Sequence, residues 1–191
     1  LSLLNGSRLY TEVREEGNAG NIFVEASDSI ELNGVFENRI SSIQSTLRRE
    51  VNGRSGDIQI NTGLLSATDG GQIFTTSNGT ADTGNITINA RGLVSFDGFD
   101  VDSRFISKVS TNVKGAGNSG NISITAGDLS LTNSGLISTQ NFGIGNAGGI
   151  FLNVDNTVVF DGGGSEISPT PGSARSVVAT AGTAGNIEVK A

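Results

Sequence analysis

The chain has 191 residues, with 28 Gly, 2 Pro, no Cys and no His, 35% hydrophobic and 5% aromatic residues, and a formal net charge of −7. Glycine stays below one third of the chain and has no three-residue period, which excludes collagen, while the lack of Cys excludes disulfides and thiolate metal sites. The negative charge opposes nucleic acid and anionic lipid as partners, and no window approaches the roughly 18 apolar residues of a membrane-spanning helix.

In chain order, Leu1 and Leu3 form an apolar pair at period 2, Asn5-Gly6 is a turn signal, and Leu9 to Val13 is β-rich. Gly20-Asn21-Ile22 then opens a strand carried on by Val24, followed by the pair Ile30 and Leu32, the turn Asn33-Gly34 and a third strand from Ile40 to Leu47. The same order returns with Gly56-Asp57-Ile58 and Ile60, Leu65 and Ala67, Asp69-Gly70, and Gln72 to Thr76. Gly84-Asn85-Ile86 and Ile88 lead to Val94 and Phe96, Asp97-Gly98, and Phe105 to Thr111. Gly120-Asn121-Ile122 and Ile124 lead to Leu129 and Leu131, Asn133-Ser134-Gly135, and Leu136 to Gln140. Gly148-Gly149-Ile150 and Leu152 lead to Val158 and Phe160, Asp161-Gly162, and Ser176 to Thr180, and Gly185-Asn186-Ile187 with Val189 begins another round.

Successive Ile positions of the tripeptide lie 36, 28, 36, 28 and 37 residues apart, so short and long units alternate. Leucine-rich, ankyrin and tetratricopeptide repeats need a helical stretch that no unit contains, and a propeller blade needs about 40 residues in four strands. The pattern predicts an all-β chain, a right-handed parallel β-helix (solenoid) of about five coils alternating between 28 and 36 residues with three short strands per coil. Residues 1–191 read as a single β-helical segment, an internal piece of a longer chain, since Leu1 falls at a second strand and Ala191 just after a first one.

Stacking at about 4.8 Å per rung would place Ile22, Ile58, Ile86, Ile122, Ile150 and Ile187 in one buried ladder, each member contributing roughly 1.5–3 kcal/mol. Phe23, Gln59, Thr87, Ser123, Phe151 and Glu188 would point outward. Asn21, Asn85, Asn121 and Asn186, with Asp57 and Gly149 as departures, are expected to stack at the bend as amides bonded along the axis. The extra residues of the long units, Val35 to Arg39, Phe99 to Arg104 and Gly163 to Arg175, are expected to protrude as loops on one side, the side where solenoids often bind.

Several motifs suggest chemistry and are better explained by the repeat. Gly115 to Gly120 and Gly143 to Gly148 match G-x-G-x-x-G, yet each precedes a strand where a nucleotide site needs a helix N-terminus, so no cofactor is assigned. Asp97, Asp100 and Asp102 gather carboxylates suited to calcium without matching an EF-hand or a calcium nonapeptide, and a solvated loop is the simpler reading. Asp69 and Asp97 on stacked turns could mimic a glycosidase pair, but no His and only Tyr10 are available to support acid/base work, and the turn role explains both. Arg39, Arg104 and Arg175 near the ends of the long loops invite phosphate or sugar, with loop anchoring the simpler role. No catalytic, cofactor or metal residue is assigned, and no enzyme activity is expected.

The units Gly117 to Gly135 (GNSGNISITAGDLSLTNSG), Gly145 to Asn153 and Asp82 to Gly98 resemble the repeats of filamentous-haemagglutinin-like exoproteins, especially the large cyanobacterial ones. The resemblance covers essentially the whole chain, although the family's amino-terminal secretion domain is not matched. It implies a right-handed parallel β-helix, export of the parent protein through a partner transporter, and a secreted or cell-surface role in adhesion or extracellular scaffolding. The function expected is a structural or adhesive shaft, touching other protein chains through its long loops or by end-to-end stacking, and surface glycans. The alternative is a polysaccharide-binding or polysaccharide-cleaving β-helix.

Overall fold

The structure is a computed structural model that describes residues 1–48, 53–98, 100, 105–161 and 173–191. In chain order the strands are β1 (Ser2–Leu4), β2 (Arg8–Val13), β3 (Ile22–Glu25), β4 (Ser29–Asn33), β5 (Val35–Phe36), β6 (Arg39–Ile40), β7 (Ser42–Leu47), β8 (Ile58–Thr62) and β9 (Leu64–Thr68). They continue as β10 (Gln72–Ser77), β11 (Ile86–Ala90), β12 (Leu93–Asp97), β13 (Lys108–Val113), β14 (Ile122–Thr132), β15 (Leu136–Asn141), β16 (Ile150–Phe160), β17 (Ser173–Val178) and β18 (Ile187–Lys190). The fold is all-β, with no helix among the described residues.

A strongly curled ten-stranded sheet and a six-stranded sheet, ordered β17-β15-β13-β10-β7-β2, make up the body. Every named pairing within these two sheets is parallel, and each joins a strand to its counterpart in the next unit. The tripeptide Ile residues are therefore in register: Ile22 with Ile58, Ile58 with Ile86, Ile86 with Ile122, Ile122 with Ile150, and Ile150 with Ile187. All but Ile187, on the outermost strand, are buried.

The main apolar core lies between the sheets, and a small second cluster gathers Ala19, Leu47 and Ala81. Ile, Leu, Val and Phe96 side chains of the ten-stranded sheet meet Ile43, Ile73, Val109 and Ile137 from the six-stranded one. Phe23 and Phe151 point outward as expected, at 58% and 38% exposure.

Four expectations need correction. The first two strands of a unit are not always separate: β14 and β16 run unbroken through both positions, so three short strands do not recur in every unit. The third strands expected at Phe105 to Thr111 and Ser176 to Thr180 lie instead at Lys108–Val113 and Ser173–Val178. Their inward face mixes aliphatic and hydroxyl residues, Val109 with Thr111 and Ala174 with Ser176, which hides the alternation that apolar residues alone would show. Arg175 consequently sits on a strand rather than at a loop end.

The fourth correction concerns the Asn row. Its amides do not bond to one another. The side-chain oxygen of each residue accepts the main-chain N–H of the next: Asn21 from Asp57 (2.9 Å), Asp57 from Asn85 (2.7 Å), Asn85 from Asn121 (2.8 Å) and Asn121 from Gly149 (2.8 Å). The side chain need only supply an acceptor oxygen, so Asp57 serves as well as Asn, and Gly149 can donate the last bond from its main chain without a side chain.

Part of the difference between a long unit and the short one before it lies within the strands. Ala126 pairs with Val154 but Asp128 with Thr157, so β16 carries one residue more than β14 across the bulge.

Candidate functional site

The glycines of the two G-x-G-x-x-G matches belong to stacked bends. A Cβ on Gly143 would lie 1.8 Å from the carbonyl oxygen of Gly115, and one on Gly148 2.0 Å from that of Gly120. The absent side chains make room for the neighbouring unit's main chain, and a strand follows each bend.

The turn aspartates are also committed locally. Asp69 accepts a hydrogen bond from Asn33 Nδ2 at 2.9 Å, and Asp97 accepts from Thr132 Oγ1 at 2.6 Å and Asn133 Nδ2 at 2.8 Å. Among the described residues no three acidic, His or Cys side chains gather as a metal site. Asp102 and Arg104, with Phe99 and Val101, lie outside the described residues, as do Gly162 and the expected third loop through residue 172.

The first long-unit insertion is a built element rather than an open loop. β5 and β6 pair antiparallel through Glu37 and Asn38, whose φ values of 48° and 60° make the left-handed two-residue turn that suits a hairpin. In the second insertion the Asp100 N–H donates to the Phe105 carbonyl at 2.9 Å. Ser41 and Ser107 fasten the two insertions alike: each hydroxyl accepts the N–H of a short-turn glycine, Gly6 or Gly70, and donates to a main-chain carbonyl, that of Asn33 or Asp97.

These insertions border a groove of about 970 Å³ on the outer face of the six-stranded sheet. Its floor is set by strand alternation. Leu9, Ile43, Ile73 and Val109 turn inward, so the residues between them, including Tyr10, Gln44 and Phe74, must turn outward in one registered row. Asn38, Arg39 and Ile40 of the hairpin and Phe105, directly after the second insertion, also line the groove. A smaller groove of about 290 Å³ shares Phe74, Thr76 and Lys114 with it and continues to Gln140 and Phe142.

The groove is basic although the chain is acidic. Arg8, Arg14, Arg39, Arg48 and Lys114 line it, against Glu15 in the lining and Glu12 beside Arg14 and Arg48. Glu12 bridges Arg14 (2.6 Å) and Arg48 (3.1 Å), and the Arg14 hydrogen bond foremost holds its carboxyl below the ordinary value, against opposing burial and with help from Arg48. The Arg8 guanidinium lies 5.4 Å from the centre of the Tyr10 ring. Lys108 lines the continuation; burial pushes its ammonium below the ordinary value, and the nearby charges of Arg175 and Lys114 push the same way.

Elsewhere the described cations have local partners: Arg54 pairs with Asp57 at 2.8 Å, Lys190 with Glu188 at 3.0 Å, and Arg91 donates to the Ser27 carbonyl. Within the groove and its continuation, Thr46 Oγ1 and Asn112 Oδ1 are buried without a hydrogen-bond partner.

Of the three arginines singled out from the sequence, Arg39 lines the groove and Arg175 stands on the outer face beyond it. Sequence reading missed the groove because it followed apolar residues, whereas the signal lies in the positions between them. Neither a family model, a curated protein nor a solved structure matches the chain.

Proposed function

We propose that the chain is a stretch of right-handed parallel β-helix forming the structural and adhesive shaft of a secreted or cell-surface protein. The observation that carries this reading is the unit-to-unit register, in which each strand pairs in parallel with its counterpart in the next round and like residues stack. A parallel strand reached by a crossover connection favours the right hand. Stacking at about 4.8 Å per rung turns added repeats into length and stiffness.

The role is non-catalytic. Asp69 and Asp97 are taken up in turn hydrogen bonds, which accounts for both without a reaction. Export and display follow from the resemblance of the repeats to filamentous-haemagglutinin-like exoproteins. Partners along the axis are neighbouring repeats or other copies of the chain, because parallel rungs offer main-chain edges; lateral partners meet the long-unit insertions.

Electron cryo-microscopy of the intact parent protein tests the reading. A rod with an axial repeat of about 4.8 Å is the expected image. A globular particle without that repeat would overturn the shaft.

A further inference from the structure

The geometry points to the outer face of the six-stranded sheet as a binding site for an acidic polysaccharide, a sugar chain carrying carboxylate or sulfate groups. This deepens the adhesive part of the proposed function and rests on it only for placing the site at a cell surface.

Charge comes first. Seven Lys and Arg side chains of a chain with net charge −7 stand on this one face: Arg8, Arg14, Arg39, Arg48, Lys108, Lys114 and Arg175. Among the described residues, Arg39, Lys108, Lys114 and Arg175 have no carboxylate within ion-pair distance, while the cations elsewhere are partnered. Unpaired cations held close together repel one another, and a bound polyanion relieves that repulsion.

Shape and polarity then narrow the class. The two joined grooves cross strands β2, β7, β10, β13 and β15, about 19 Å at the parallel spacing, which suits an extended polymer. Phe74 and Phe142 offer flat apolar faces for sugar rings, while the Gln44 and Gln140 amides that line the grooves offer hydrogen bonds to hydroxyls. Nucleic acid and anionic bilayers fit less well. Both carry dense charge over a broad surface and would be repelled by the acidic remainder of the chain.

The test is calorimetric titration of the full chain with polygalacturonate (carboxylate), dextran sulfate (sulfate) and neutral dextran at 0.15 M salt, an ionic strength at which distant charges are screened. Binding of at least one acidic polymer and none of dextran is expected; which acidic polymer binds identifies the anion. Arg39→Gln with Lys114→Gln should weaken that binding by at least about tenfold, Phe142→Leu should weaken it for sugar polymers but not for inorganic polyphosphate, and Lys190→Gln should leave it unchanged. Equal binding of dextran, equally tight binding of duplex DNA or phosphatidylserine vesicles, or an unaffected double variant would overturn the proposal. Unchanged thermal unfolding of the variants shows that they are folded. Such a failure leaves the axial repeat of the rod untouched, and a globular parent protein that still binds the polymer would overturn the shaft and not the groove.

Discussion

The side-chain oxygen of Asn85 accepts the main-chain N–H of Asn121 at 2.8 Å, and Asn121 repeats the same bond to Gly149 in the next unit. Each bend is thereby tied to its neighbour by a bond that needs an acceptor and no donor. Asn121→Ala should cost about 0.5–1.5 kcal/mol, the usual net value of such a bond. Asn121→Asp should stay close to the parent, because Asp57 already fills this role. Chemical denaturation of the two variants checks the contrast.

Two glycines at equivalent bends should respond to very different degrees. A Cβ on Gly148 meets the Gly120 carbonyl oxygen at 2.0 Å, whereas one on Gly20 meets nothing closer than Thr11 Cγ2 at 3.9 Å. Gly148→Ala should cost about 3 kcal/mol or more, and Gly20→Ala less than about 1 kcal/mol. Thermal unfolding of both proteins reads the difference directly.

A row of buried hydroxyls holds the bends from inside. Thr75, Thr111 and Thr139 are fully buried and donate to the carbonyls of Gly84, Gly120 and Gly148, nine residues further on in each case. Thr111→Val keeps the shape but leaves the Gly120 carbonyl without its donor, so a loss of about 1–3 kcal/mol is expected. Ser77, two residues beyond Thr75, is also buried but its hydroxyl has no partner, and it lies in register between Leu47 and Val113. Ser77→Val should therefore raise the denaturation midpoint.

Lys108 carries a pH signature. Burial first, then Arg175 and Lys114, hold its folded pKa below the ordinary value of 10.5. Between those two pKa values the unfolded chain binds more protons than the folded one, so the Lys108 contribution to stability rises with pH there. Its destabilising effect is full below the folded pKa and gone above 10.5. Lys108→Met should melt higher than the parent at pH 7, with the gap closing as pH approaches 10.5. A gap independent of pH would assign the effect to packing against Leu136 instead.

The repeating ladders were legible in the sequence because Gly-Asn-Ile recurs with apolar residues at period 2, and the structure puts those residues in register. The third strand was harder to place, since its inward face alternates Ile or Val with Ser or Thr and so lacks a continuous apolar stripe. A regular signal was present nonetheless: a hydroxyl residue stands nine positions before the bend glycine at Thr11, Thr75, Thr111, Thr139 and Ser176. The groove was the least legible feature. Arg8, Arg48 and Lys114 are scattered in sequence, and only parallel stacking of β2, β7 and β13 gathers them on one face.

The proposed shaft, the groove and the ladders all rest on unit-to-unit register, and a chain without Cys allows a clean test of it. Thr87 and Ser123 are register partners on adjacent parallel strands, both partly exposed. At about 4.8 Å between strands, cysteines at these two positions lie within disulfide reach. In the control pair, Thr87 and Thr125, two residues of offset widen the separation to about 8 Å. Mild oxidation followed by mass spectrometry should close Thr87→Cys/Ser123→Cys within the monomer and leave Thr87→Cys/Thr125→Cys open. Preferential closure of the offset pair, or of neither, would contradict the stacked parallel register.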